Sequence, residues 1–211
     1  HRNLAKECPA DADIVIPVPD SGVPAALGYS ESSGIPFELS IIRNHYVGRT
    51  FIQPTQSNRQ SSVKLKHNPD RSSIKGKKVV LIDDSIVRGT TSVKIVQLMR
   101  EAGASEIHMR IGCPPIKFPD FYGIDTPETE QLLASNKNLE EMSKFIGADT
   151  LGFLSLNGLY KSMGLREGRN EDNPEYTDHC FTGDYPTVLD DYESEKVQEQ
   201  LSLLSENESQ N

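Results

Sequence analysis

The sequence predicts an α/β fold in which a mostly parallel sheet is flanked by helices. Three observations predict it. The runs Ile14-Val15-Ile16-Pro17-Val18 and Val79-Val80-Leu81-Ile82 are continuous apolar segments of strand length, the pattern of strands covered on both faces. Each is followed by small and hydroxyl-bearing turn residues and then by apolar residues at helical spacing. Strands and helices alternating in this way build βαβ units, whose sheet is parallel.

Ahead of the first strand, His1 to Asp13 carries no signal of an element. After it, Pro19-Asp20-Ser21-Gly22 makes a turn. Ser21 or Gly22 caps a helix, Pro24 suits its first turn, and Val23, Ala26 and Leu27 give it an apolar face up to Gly34. Phe37, Leu39 and Ile41 alternate with polar residues, as in a half-buried strand. From Asn44 to Ser73 the chain is polar, and a loop of that length inside a domain is functional or mobile. The 79–82 strand leads to a helix with Val93, Val96 and Met99 on one stripe, stopped at Gly103. Ile107, Met109 and Ile111 alternate with His108 and Arg110 in a further strand. Asn138 with Glu141 reads as a capping box for a helix ending at Gly147, and Thr150 to Leu154 as a last strand. The chain divides into a domain over 1–165 and an irregular, acidic C-terminal extension over 166–211, expected to be partly disordered with a local turn near 181–186.

Composition narrows the function. A chain of 211 residues with 36% hydrophobic content buries one sizeable core. No apolar run approaches the roughly 20 residues that cross a bilayer and no signal segment opens the sequence, so no membrane partner and a cytoplasmic location are expected. A formal charge of -9 argues against a nucleic-acid partner. Cys8, Cys113 and Cys180 are widely spaced, which fits reduced thiols better than a disulfide frame or a zinc site.

Chemistry concentrates in Val79-Val80-Leu81-Ile82-Asp83-Asp84-Ser85-Ile86-Val87-Arg88-Gly89-Thr90-Thr91-Ser92. Two carboxylates end a buried strand, and a loop of hydroxyls, glycine and arginine runs into a helix amino terminus, where free N–H groups and the helix dipole favour a phosphate. Carboxylates for sugar hydroxyls or a hydrated cation, beside a phosphate cradle, suit a sugar 5-phosphate. On Asp83-Asp84 alone, a receiver domain or a plain helix cap remains open.

The complete pattern resembles the phosphoribosyl pyrophosphate signature of type I phosphoribosyltransferases. With Ile16 to Gly22, Arg43 to Pro54, Phe121 to Asp125 and Ile146 to Leu151, the chain resembles the amidophosphoribosyltransferase family from residue 1 to about 190. The resemblance implies a type I phosphoribosyltransferase-like sheet with a long mobile lid loop. It implies transfer of the phosphoribosyl group of phosphoribosyl pyrophosphate to ammonia, which glutamine supplies in the full-length enzyme, as the first step of purine synthesis. Asp83 and Asp84 would hold ribose hydroxyls and, with Ser21, a Mg2+ ion. Ser85, Arg88, Gly89, Thr90 and Thr91 would cradle the 5-phosphate, and Ser21 would bind pyrophosphate. Tyr46, Arg49 and Lys66 fall where the family's closing lid contacts substrate. His45 departs from the arginine the family pattern has there.

Other implications concern partners. The glutaminase half, with its amino-terminal cysteine nucleophile, is expected to be absent from this chain, leaving free ammonia as its nitrogen source. A homo-oligomer and inhibition by purine nucleotides are implied as well. Some family members carry an iron–sulfur cluster on four cysteines; three of the corresponding positions read Asp120, Thr177 and Cys180, so no cluster is expected. The competing readings are a phosphoribosyltransferase acting on a free base and a non-catalytic sensor.

Overall fold

The computed structural model describes residues 2–43 and 67–189, and elements are numbered over those residues. Four strands form one parallel sheet in the order β1 (Ile14–Pro17), β4 (Lys78–Asp83), β5 (Glu106–Ile111), β6 (Thr150–Phe153). The registers Ile14 to Val79 and Lys78 to Glu106 are both parallel, so β4 lies inside the sheet with its carboxyl end level with that of β1. Among the described residues, no helix is long and apolar enough to cross a membrane.

The continuous apolar runs follow from a sheet covered on both faces. Successive side chains of a strand point to opposite sides. Ile14, Ile16, Val79 and Leu81 therefore join one core with Ile107 and Met109, under α4 (Thr90–Glu101) and α6 (Leu139–Ile146). Val15, Val80 and Ile82 join the other, under α1 (Arg2–Glu7) and α2 (Val23–Ser33), whose Leu4 and Tyr29 are fully buried. The capping box of α6 is complete: Asn138 accepts from Glu141 N at 3.0 Å and Glu141 accepts from Asn138 N at 2.9 Å.

The structure corrects several expectations. Residues 2–7 form a helix, read as featureless because six residues show too little periodicity. Phe37 makes a single bridge to Val15, and the regular strand is β2 (Ile41–Arg43), antiparallel to β3 (His67–Pro69). A helical turn, α3 (Arg71–Ile74), capped by Asp70, follows it inside the stretch read as loop. The polar face of β5 is buried too: Arg110 donates to the carbonyls of Cys8, Pro9 and Met109 and to the Thr150 hydroxyl, all within 2.8–3.1 Å. Within the irregular extension from 166, part of the chain is nevertheless packed, around the buried Gly168, Asp178 and His179. Asp178, buried, accepts from Tyr160 and Arg169 at 2.7 and 2.6 Å, and Arg169 also pairs with Asp184. Burial raises the Asp178 pKa, yet bonds from Arg169, Tyr160 and Thr182 hold it below the usual carboxylate range. The helical turn α8 (His179–Thr182) accepts Lys117 N on its Cys180 carbonyl, which fastens the segment to the loop after β5. Polar residues can be buried where they satisfy one another's hydrogen bonds, and composition does not distinguish them from a solvated tail. Between β6 and this segment lies α7 (Leu156–Ser162), capped by Ser155.

Candidate functional site

Two loops meet at the carboxyl ends of β1 and β4. The turn after β1 is held against β4 by Val18 N donating to the Ile82 carbonyl at 2.7 Å. Gly22 lies so close to that point that a Cβ would sit 2.4 Å from the same carbonyl oxygen, so a glycine is required there. This close approach brings Ser21 over the end of β4, where its hydroxyl donates to Asp84 Oδ1 at 2.9 Å. Ser85 donates to the other oxygen, Oδ2, at 3.2 Å. Asp84 is thus shared between the two loops.

Asp83 and Asp84 divide the titration between them. Asp83 is 6% exposed, and its Oδ1 accepts the Asp84 N–H at 2.9 Å. Burial, and then the hydrogen bond and charge of Asp84, push its pKa from 3.8 up to about 8. Burial also raises Asp84, but hydrogen bonds from Asp83, Ser21 and Ser85 outweigh it and hold that carboxyl below its ordinary value. Two adjacent carboxyls of which only one ionises freely form a place where a cation is favoured. Burial, and then the charges of Asp84 and Asp83, push the Cys113 thiol up to about 12, so it stays protonated.

The loop from Ser85 to Gly89 leads into α4. Gly89 takes a left-handed conformation, φ 75°, at the amino end of that twelve-residue helix, and the N–H groups of the first turn point outward without intrahelical partners. Acids, hydroxyls and helix end together line a cleft of about 410 Å³. Ser21, Asp83, Asp84, Ser85, Arg88, Gly89, Thr90 and Thr91, all singled out from sequence, line it. Tyr46, Arg49 and Lys66, and with them the expected lid, lie outside the described residues. Arg43 and His67 also line the cleft, and Arg43 pairs with Asp20 at 2.7 Å. His67 lies in the polar stretch that reads as loop, and only the β2–β3 pairing brings it to the cleft.

Comparison with known proteins is decisive at this point: residues 2–113 match the model of the phosphoribosyl transferase domain family. The chain belongs to that family. The phosphoribosyl transferase fold seen here is also found in the Bacillus subtilis glutamine phosphoribosylpyrophosphate amidotransferase solved with ADP and GMP. That structure has a TM-score of 0.79 at 52% identity, over 89% of this chain and 41% of that one. The chain is 63% identical over 206 residues to the amidophosphoribosyltransferase of Rhizobium etli, covering 97% of this chain and 41% of that protein. The Methanothermobacter thermautotrophicus amidophosphoribosyltransferase is 54% identical, over 88% of this chain and 38% of its own length. The chain therefore spans about two fifths of the length of these relatives.

Two of the positions at which the sequence resemblance places cluster cysteines come together. Asp120 and Cys180 lie with His179 so that one donor atom from each falls within 4.8 Å of the others. Asp120 accepts from His179 at 2.7 Å and from the N–H groups of Tyr122 and Ile124. Iron–sulfur clusters are held by several thiolates, and this grouping, with one thiol, does not fit such a cluster.

Proposed function

We propose that the chain transfers the phosphoribosyl group of phosphoribosyl pyrophosphate to ammonia, giving 5-phosphoribosylamine and pyrophosphate. One observation carries the reading: a buried strand delivers Asp83 and Asp84 between the Ser21 turn and the Ser85–Thr91 loop, with a helix amino terminus at one side of the same cleft. The similarity to the amidophosphoribosyltransferases supports the choice of acceptor. In this reading the ammonia lone pair forms the bond to C1, the bond from C1 to the pyrophosphate oxygen breaks with its electron pair, and the proton lost from nitrogen goes to solvent. The Ser85–Thr91 loop binds and orients the 5-phosphate through backbone N–H groups, hydroxyls and Arg88. Asp83 and Asp84 hold the ribose hydroxyls, and Ser21 receives the pyrophosphate end.

Ser21, Asp83 and Asp84 are hard oxygen donors suited to Mg2+. When bound, such an ion would neutralise charge on the departing pyrophosphate. Tyr46, Arg49 and Lys66 we assign to a lid that excludes water from C1. The proposal extends to a domain over 1–165 with a C-terminal extension over 166–211, a glutaminase partner domain that supplies ammonia from glutamine, a homo-oligomeric cytoplasmic enzyme and control by purine nucleotides. Pyrophosphate release is the test. With Mg2+ and phosphoribosyl pyrophosphate, ammonia should drive release that rises with pH as NH3 becomes available, whereas purine and pyrimidine bases should not. Release driven by a base and not by ammonia would overturn the reading.

A further inference from the structure

We propose that Gln131 is a positioning residue for the phosphate loop, acting through Arg88. The inference rests on the transferase reading above and concerns a residue that lies outside the cleft. The segment from Glu128 to Asn136, a 3-10 turn over Thr129–Gln131 followed by the helical turn α5 (Leu133–Asn136), belongs to no strand. It is nevertheless tightly tied. The Asn136 side-chain amide donates to the carbonyls of Thr129, Glu130 and Leu132 at 3.3, 2.9 and 2.8 Å, and Gln131 N donates to the Glu128 carbonyl at 2.8 Å. Leu132 and Leu133 anchor its underside, 0% and 6% exposed.

From this fixed turn, three consecutive residues of the phosphate loop are held. Leu133 N donates to the Val87 carbonyl at 2.9 Å. The Gln131 Oε1 accepts from Arg88 Nε at 3.0 Å. Leu133 packs on Gly89 so closely that a Cβ there would come within 2.7 Å of its Cδ2. The first and third contacts fix the loop backbone, and the second fixes the one cationic side chain that the loop itself brings to the cleft. By engaging Nε, Gln131 leaves both terminal amino groups of the guanidinium for an anion. Because its amide is neutral, it orients Arg88 without cancelling the charge that the substrate phosphate needs. A long, exposed arginine otherwise loses rotamer freedom when it binds, and a partner that holds it beforehand reduces that loss.

The test compares the intact chain with Gln131→Leu, which keeps the volume and removes the acceptor, and Gln131→Glu, which keeps an acceptor oxygen. Gln131 is exposed, so neither variant should change the melting temperature. Gln131→Leu should raise KM for phosphoribosyl pyrophosphate about 3- to 10-fold, less than the roughly 10- to 150-fold of a charged hydrogen bond made directly to substrate because this one is exposed and acts through Arg88, with kcat within about two-fold. Gln131→Glu, which keeps the acceptor but sets a negative charge beside Arg88, should restore only part of the loss. A wild-type KM in Gln131→Leu, or a loss carried by kcat with KM unchanged, would overturn the inference. If the unaltered chain shows no ammonia-dependent turnover, the transferase reading fails instead. Calorimetric binding of ribose 5-phosphate to the unaltered chain and to Gln131→Leu then decides the positioning role separately, with weaker binding by Gln131→Leu expected and equal binding in the two refuting it.

Discussion

Replacing Asp83 by Asn should stabilise the ligand-free protein increasingly as pH rises while removing its activity. Asp83 is 6% exposed and its carboxyl is pushed from 3.8 up to about 8. The folded state therefore holds this proton more tightly than the unfolded chain does. Its stabilising contribution is complete below the unfolded value near 3.8 and is lost progressively as pH rises to about 8. At 1.36 kcal/mol per pH unit, the whole interval sets a ceiling of about 6 kcal/mol. Asp84 titrates in the opposite direction, held low by its bonds to Asp83, Ser21 and Ser85, and water in the open cleft screens both acids. An advantage of about 2 kcal/mol for the variant at pH 8 is the working expectation. Urea denaturation in a chelator at pH 4, 6 and 8 measures it: the two proteins should coincide near pH 4 and separate steadily above it. A difference in stability that stays constant across that range would refute the reasoning, because it would mean that Asp83 does not change protonation on unfolding.

Asp84→Asn should keep the fold but lower turnover at limiting phosphoribosyl pyrophosphate by about 10- to 150-fold, the range for a lost charged hydrogen bond of about 1.5–3 kcal/mol; unchanged kinetics would count against the site. Gly22→Ala should lower the melting temperature and impair substrate binding together, since its Cβ would meet the Ile82 and Val18 carbonyl oxygens at 2.4 and 2.8 Å; an alanine variant with normal stability would show that the two loops are not locked there. Arg169→Met should cost about 3–5 kcal/mol, because it leaves the buried Asp178 charge uncompensated. Hydrogen exchange over residues 178–185 should rise with that loss, and unchanged protection would mean that the ion pair does not hold the segment.

The parallel sheet and the acidic strand end were legible because their physics is local and repetitive. An uninterrupted run such as Val79 to Ile82 needs cover on both faces, and an acid pair followed by Arg-Gly-Thr-Thr marks a strand-to-helix anion site. The capping box at Asn138 was legible for the same reason, since both partners lie three residues apart. What escaped notice depends on partners distant in sequence. Arg110 reads as the polar side of a strand until the carbonyls of Cys8 and Pro9 cover it, about a hundred residues away. Arg169 and Asp178 read as tail until each buries the other, and His67 reaches the cleft only because β3 pairs with β2. Gln131 gives no signal of its own, since a single glutamine between acids and leucines is typical of any surface turn.

The carboxylate of Asp84 has one oxygen assigned to each loop, Oδ1 to Ser21 and Oδ2 to Ser85. Each carboxylate oxygen can accept more than one contact, so a ligand atom that approaches Oδ1 shares that oxygen with the Ser21 hydroxyl, and one that approaches Oδ2 shares it with Ser85. Occupancy at either end of the cleft is therefore felt by the same side chain. Ser21, Asp84 and Ser85 form an open chain in which the acid joins the two hydroxyls, so a ligand that spans the cleft meets both loops through one residue.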